Sequence, residues 1–383
     1  MSEGAVSPAA PLPSSRLDFV EVGRGLAALS VVIFHANASA RFFGGPQWQW
    51  LGFFEHGVDF FFVLSGFVIL HAHHRDLGHR ERLGTYAIKR AIRLLPTLWV
   101  VVTGWALLRW AAGAGPSIET LIGSLLPYPS LQPTIPLVVW TLRHEIVFYF
   151  LFAVLVASRR LGIVLFALWF GLIIVQMAAV VAGHPIAGMP AFYLSGFSLD
   201  FLLGVAVYLF NRAVPAKPSM LPLIASLILL TVIAVALEFA GSSRLSLQDY
   251  TSPGATWGAG ALGVGFAAVL YGLVRLEDVA NAPRHLVALG ACSYSLYLVH
   301  TPVNALIQIA ARHLSAQLKA LGAGHVLLVA AGVTIGWLLY RHGERPMMLW
   351  LRRKLGLTRI TIQQHSYGHV SANHTSTPAP PMR

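Results

Sequence analysis

Apolar residues run along this chain in ten blocks, separated by short stretches rich in Pro, Gly and charge such as PYPSLQPTIP at 127–136. Within each block the apolar positions are continuous, not alternating, so they do not read as barrel strands. Each is long enough, at about 20 residues, to cross the hydrocarbon layer as a helix, which satisfies its own backbone. The pattern predicts spans at 17–37, 55–72, 91–112, 137–158, 161–182, 192–210, 221–240, 256–275, 293–311 and 324–341. The expected fold class is therefore all-α, a polytopic integral membrane protein. Residues 1–15 and 356–383, rich in Ser, Ala, Pro and His, are expected to be disordered tails around one membrane domain at 16–355. No repeat of the inverted type is visible.

Composition agrees. Hydrophobic residues make up 56% of the chain, and charged ones only 11%, against about 25% in soluble domains. The net charge of +12 would suggest nucleic acid in a soluble protein. Here its distribution reads as topology. With the N-terminus inside, the inner connections carry nineteen Lys and Arg, whereas the outer ones carry four: Arg41, Arg244, Arg312 and Lys319. That asymmetry predicts both termini in the cytoplasm and residence in the inner (plasma) membrane. The first block could pass for a signal peptide ending at Ala36-Asn37-Ala38, but Glu3, Asp18 and Glu21 spoil a basic leader, so it is expected to be retained. Cys292 is the single cysteine, which excludes an intrachain disulfide framework, and no metal motif is present.

Against this apolar background the intramembrane polar residues stand out, because each is costly unless paired or functional. GRGLAALSVVIFHANAS, at 23–39, holds Arg24 and His35. Eleven residues advance roughly 16 Å and end within about 20° of three full turns, so the two share a face, with His35 nearer the outer end. Asp59, in HGVDFFFVLSGFVILHAHHR, is expected at a similar depth, where a carboxylate could orient an imidazole. It could equally be an acid favoured by a helix N-terminus. Ser65-Gly66 allows close approach of a helix or a ligand. Arg90 and Arg93, in YAIKRAIRLLP, sit one turn apart where the chain enters the membrane, suiting a phosphorylated ligand or, more simply, lipid headgroups. WTLRHEIVFYF places Arg143, His144 and Glu145 in succession, of which one or two can line a common cavity; Glu145 shares the face of Thr141 and Tyr149. SYSLYLVHTPV gives the ninth span a polar stripe that includes Tyr297 and His300, either a relay or sugar-binding wall or a structural helix. Glu344 and Arg345, in GERP, are expected to cap and snorkel.

Together these segments resemble the membrane acyltransferase family 3. The likeness lies in Arg24 and His35 with ten residues between them, GVDFFFVLSGFVI, KRAIRLLP, WTLRHEIVFYF (with Thr141 for the usual Ser), SYSLYLVHTP (with Val299 and Thr301 where aromatics are common) and GERP. The resemblance implies a cytoplasmic acyl-CoA donor, with acetyl-CoA the expected form, and a glycan hydroxyl as acceptor. It also implies a standalone type, without an appended extracytoplasmic domain, similar to exopolysaccharide O-acetyltransferases. His35, Arg24, Asp59 and Glu145 are then the expected catalytic set, and Arg90, Arg93, Ser65, Tyr149, Tyr297 and His300 the expected substrate-binding set. His35 is read as a general base, with a transient acyl carrier as the other mechanism. No permanently bound cofactor, metal or nucleic acid is expected; membrane lipid and polysaccharide synthesis machinery are the candidate partners. Two other classes fit intramembrane charge: a proton-coupled transporter of glycans or lipids, and a non-catalytic scaffold.

Overall fold

The computed structural model describes residues 17–40, 42, 47–214, 218–240, 252–311 and 323–357. The expected tails, save Gly356 and Leu357, and the four outer-side basic residues lie outside the described residues. Ten helices are long and apolar enough to cross a membrane, and no strand occurs among the described residues. We number them α1 (Asp18–Ala40), α2 (Gly57–His73), α3 (Leu83–Ala111), α4 (Trp140–Ala157), α5 (Arg159–Val181), α6 (Gly196–Ala213), α7 (Leu221–Phe239), α8 (Pro253–Leu276), α9 (Arg284–Ala310) and α10 (Ala323–Leu339). A π-helical turn, Tyr340–Glu344, joins α10 to the basic helix Arg345–Lys354.

Two helices begin well before their apolar blocks: α3 at Leu83 and α9 at Arg284. Hydropathy marks what lipid tolerates, but backbone hydrogen bonding continues a helix into the interface. Arg90 therefore stands within α3 together with Arg93, one turn apart.

Glycine contacts set the register of the inner helices. A Cβ on Gly290 of α9 would come within 2.0 Å of Glu21 O on α1, and one on Gly25 within 2.6 Å of Gly290 N. The two backbones touch there, and His35 and His300 meet at the far end, so α1 and α9 run in the same sense. Similarly, Gly66 of α2 and Gly204 of α6 let those helices close on Phe201 O and Val63 O. Around that crossing Phe62, Phe67, Phe148 and Phe201 build an aromatic core, with Phe148 and Phe201 stacked at 4.6 Å. In contrast, α7 buries only Ser226 and turns its leucines outward, as a lipid-facing helix should.

Candidate active site

A cavity of about 120 Å³ opens between α2, α3, α4 and α9. Its lining includes Arg24, Ser65, Arg90, Arg93, Thr141, Glu145, Tyr149, Tyr294 and Tyr297. On α4, Thr141, Glu145 and Tyr149 fall four residues apart and so point the same way. Glu145 accepts a short hydrogen bond from Tyr149 Oη and a long one, 3.5 Å, from Ser65 Oγ. Tyr297 Oη lies 3.0 Å from Thr141 Oγ1, tying α9 to α4 at the far end of the cavity.

The three arginines differ in how fully their charge is engaged. Arg24 donates through Nη1 to both oxygens of Glu21, at 2.7 and 3.0 Å. Arg93 pairs with Glu344 and lies over the Tyr294 ring. Arg90 has no carboxylate partner among the described residues: its Nη2 faces His73 Nε2 at 3.3 Å, and Tyr149 lies beneath its guanidinium. Because Arg is always a donor, His73 must present a lone pair at Nε2 and keep its proton on Nδ1, which faces Asp76 Oδ2 at 2.7 Å. Of the three, Arg90 is the one whose charge meets no carboxylate among the described residues. Arg352 lies close enough to feel both Arg90 and Arg93, so the basic end of the cavity continues towards the basic helix Arg345–Lys354.

At the other end Tyr297 leads to a histidine pair. The Tyr297 and His300 rings are 5.8 Å apart, and His300 Nε2 lies 3.2 Å from His35 Nδ1. His300 is fully buried, while His35 is partly exposed. The hydrogen bonds assign the tautomers. His300 Nδ1 faces Leu296 O at 3.3 Å and His35 Nδ1 faces Val31 O at 3.0 Å, and a carbonyl can only accept. Both protons therefore reside on Nδ1, and His300 Nε2 accepts a share of the His35 proton. His35 Nε2 is left with a free lone pair and no hydrogen-bond partner among the described residues. A nitrogen so placed can accept a proton.

The expected carboxylates do not support that imidazole. Asp59 is fully buried on the opposite side of α2, where its Oδ2 lies 3.0 Å from His56 Nδ1 and its carboxyl meets that of Asp200 on α6. Asp59 Oδ1 and both oxygens of Asp200 lack a donor among the described residues, so the contact between the two needs a proton on one of them. Glu145 belongs to the cavity, not to the histidine pair. The expectation that Asp59 or Glu145 orients His35 is therefore corrected: helical phase turns both away, and His300 occupies the position. Glu344 is likewise not a surface cap; it is fully buried between Arg93 and Ser295 Oγ, the latter at 2.6 Å. The π-helical turn, which inserts an extra residue into the helix, aims it inward.

Arg143 forms no ion pair among the described residues: Ser130 O, Gln132 O and Gly123 O take its protons, so it fastens the connection before α4. His144 is boxed by Phe62, Trp140, Phe192, Tyr193 and Phe197. Neither lines the cavity. Asp200 stands in an apolar block and His73 within the polar run HAHHR, and neither carries a spacing signal.

The acyltransferase-3 family profile, described as an acyltransferase domain, matches residues 17–342. The exopolysaccharide production protein ExoZ of Rhizobium meliloti (strain 1021) is 28% identical over 317 residues, covering 76% of this chain and 89% of its own. No solved structure matches the chain.

Proposed function

Since the chain belongs to the acyltransferase-3 family, as a multi-pass membrane acyltransferase, we propose that it moves an acyl group, acetyl in the simplest case, from acyl-CoA to a hydroxyl of a surface or secreted glycan. The similarity to a protein of exopolysaccharide production favours a glycan of that class; a helical bundle with its basic connections on one side suits the inner membrane. The donor approaches from the cytoplasm. Its phosphates meet Arg90, with Arg352 and Arg93 adding to the field, while the nucleotide stays outside the cavity and the acyl thioester enters it. Arg24, roughly 16 Å along α1 from His35, lines the cavity with Arg90 and Arg93 and adds to the field that draws the donor in.

The histidine pair carries this reading: a base with a free Nε2 lies beyond Tyr297, which lines the arginine-lined cavity and whose ring is 5.8 Å from that of His300. His35 Nε2 takes the proton of the acceptor hydroxyl as its oxygen attacks the thioester carbon. The tetrahedral intermediate collapses, the C–S bond breaks, and the same proton passes to the leaving thiolate. Ester and free CoA result, with no net proton gained or lost. During the step His35 is an imidazolium whose Nδ1–H points at Val31 O and His300 Nε2, so the charge is met by acceptors without reorganisation.

Replacing His35 with Ala should cut glycan acylation by roughly two to four decades, the loss typical of a missing base, while leaving insertion and acetyl-CoA binding intact. Mass spectrometry of surface glycans from cells carrying either form measures it. Wild-type acylation by the mutant would overturn the assignment.

A further inference from the structure

Two exposed indoles stand beyond the His35 end of the bundle. Trp48 is 41% and Trp50 67% exposed, at the entrance to the 3₁₀ helix Gln49–His56. Their rings stack at 6.3 Å with planes 22° apart, and the Trp48 ring also stacks on His325 of α10 at 4.6 Å and 20°. This row is held rigidly. Asn37 clamps Trp48 from both sides, Nδ2 to Trp48 O and Oδ1 to Trp48 N, each at 3.0 Å. Gln47 Nε2 donates to Ala38 O at 3.0 Å, closing the end of α1.

The row is placed by the same helices that place the histidine pair. Asn37 follows His35 by two residues on α1. On α10, Gly332 packs beside His300, and His325 lies seven residues earlier, about 10 Å along the axis. In depth along the bundle, the imidazoles therefore lie between the cavity and the aromatic row. His35 is the partly exposed member of the pair and His300 the buried one.

Trp and Tyr at a membrane boundary often do no more than anchor a helix in lipid headgroups. This row differs in two respects. Its rings are ordered into a stack, and they alternate with the polar side chains Asn37, Gln47 and His325. His325 is more than nine-tenths buried, yet its Nε2 has no hydrogen-bond partner among the described residues. Acyl chains have no use for such groups. A pyranose ring does: its C–H face meets the electron-rich face of an indole, and its hydroxyl edge meets amides and imidazole. Indoles also offer large area at small ordering cost.

We propose that Trp48, Trp50 and His325 form the acceptor subsite, on which a sugar ring of the glycan stacks so that its neighbouring hydroxyl reaches His35. This deepens the acyl-transfer reading and rests on it. The test uses purified full-length protein in detergent, acetyl-CoA, and surface glycan extracted from cells lacking the gene. Trp50→Ala should raise the half-saturating glycan concentration roughly tenfold, as the loss of a stacking face implies, with acetyl-CoA affinity unchanged. Trp50→Phe should fall between. An unchanged glycan dependence in Trp50→Ala would overturn the subsite. So would a lowered melting temperature with both substrates weakened alike, the mark of a lipid anchor. If the wild type transfers nothing to the glycan, the acyl-transfer reading itself fails. Quenching of indole fluorescence by the same glycan, present in the wild type and lost in Trp50→Ala, then still judges the subsite, and its absence overturns it.

Discussion

His300 should act through His35, and its substitution isolates that role. Val31 O alone can hold the His35 Nδ1 proton at 3.0 Å, so removing His300 leaves the tautomer in place. What disappears is the second acceptor, 3.2 Å away, for the imidazolium formed during transfer. A hydrogen bond to a charged group contributes about 1.5–3 kcal/mol, so kcat should fall roughly tenfold to a hundredfold. That is less than the loss expected for His35→Ala. His300→Gln, which offers an amide oxygen in a similar volume, should recover part of the rate; His300→Leu, similar in size without an acceptor, should not. The assay is release of free CoA thiol with extracted glycan as acceptor, alongside acetyl-CoA binding by calorimetry. Donor affinity should stay constant across the series, because His300 does not line the cavity. If Leu and Gln lower kcat equally, or if donor affinity falls in step with kcat, His300 merely fills space and the relay of hydrogen bonds is wrong.

Three further outcomes follow from buried contacts. Replacing Glu344 with Gln leaves the Arg93 charge inside the bundle without its partner and should cost about 3–5 kcal/mol of stability, read as a lower melting temperature in detergent; joint replacement of Arg93 and Glu344 by Met should restore stability but not activity, and an unstable double mutant would refute this. Gly290→Val places a side chain where Glu21 O stands 2.0 Å from a Cβ, so α1 and α9 must part, at about 1–3 kcal/mol, and His35 must move from His300; normal turnover would show that the histidine contact is dispensable. Asp200→Asn supplies an N–H to Asp59 in place of the shared proton and should keep the melting temperature near wild type, whereas Asp200→Leu leaves the Asp59 oxygen without a donor and should cost about 1–3 kcal/mol; equal loss in both would exclude a proton between the carboxyls.

The ten spans and the residues that could do chemistry were legible in the chain. Lipid leaves few ways to bury a backbone, so apolar length alone fixes the helices. For the same reason an intramembrane Arg, His or Glu advertises itself, and Arg24, Ser65, Arg90, Arg93, Glu145, Tyr149 and Tyr297 do line one cavity. Periodicity also placed Thr141, Glu145 and Tyr149 on one face. Within a single helix, phase is a local property, and local rules suffice.

Which helix faces which is a different matter. Asp59 was expected beside His35 because the two lie at similar depth, but depth is one coordinate of three, and the phase of α2 sends Asp59 to His56 and Asp200. His300 reaches His35 because Gly25 and Gly290 bring two backbones into contact some ten residues earlier, a pairing between positions 265 apart in the chain. Glu344 turns inward only through an extra residue in a π-helical turn, which no apolar pattern announces. Hydropathy measures each residue against lipid and so determines what spans the membrane and at what level. Partners are chosen by the steric fit of one helix on another, and only the assembled bundle contains that information.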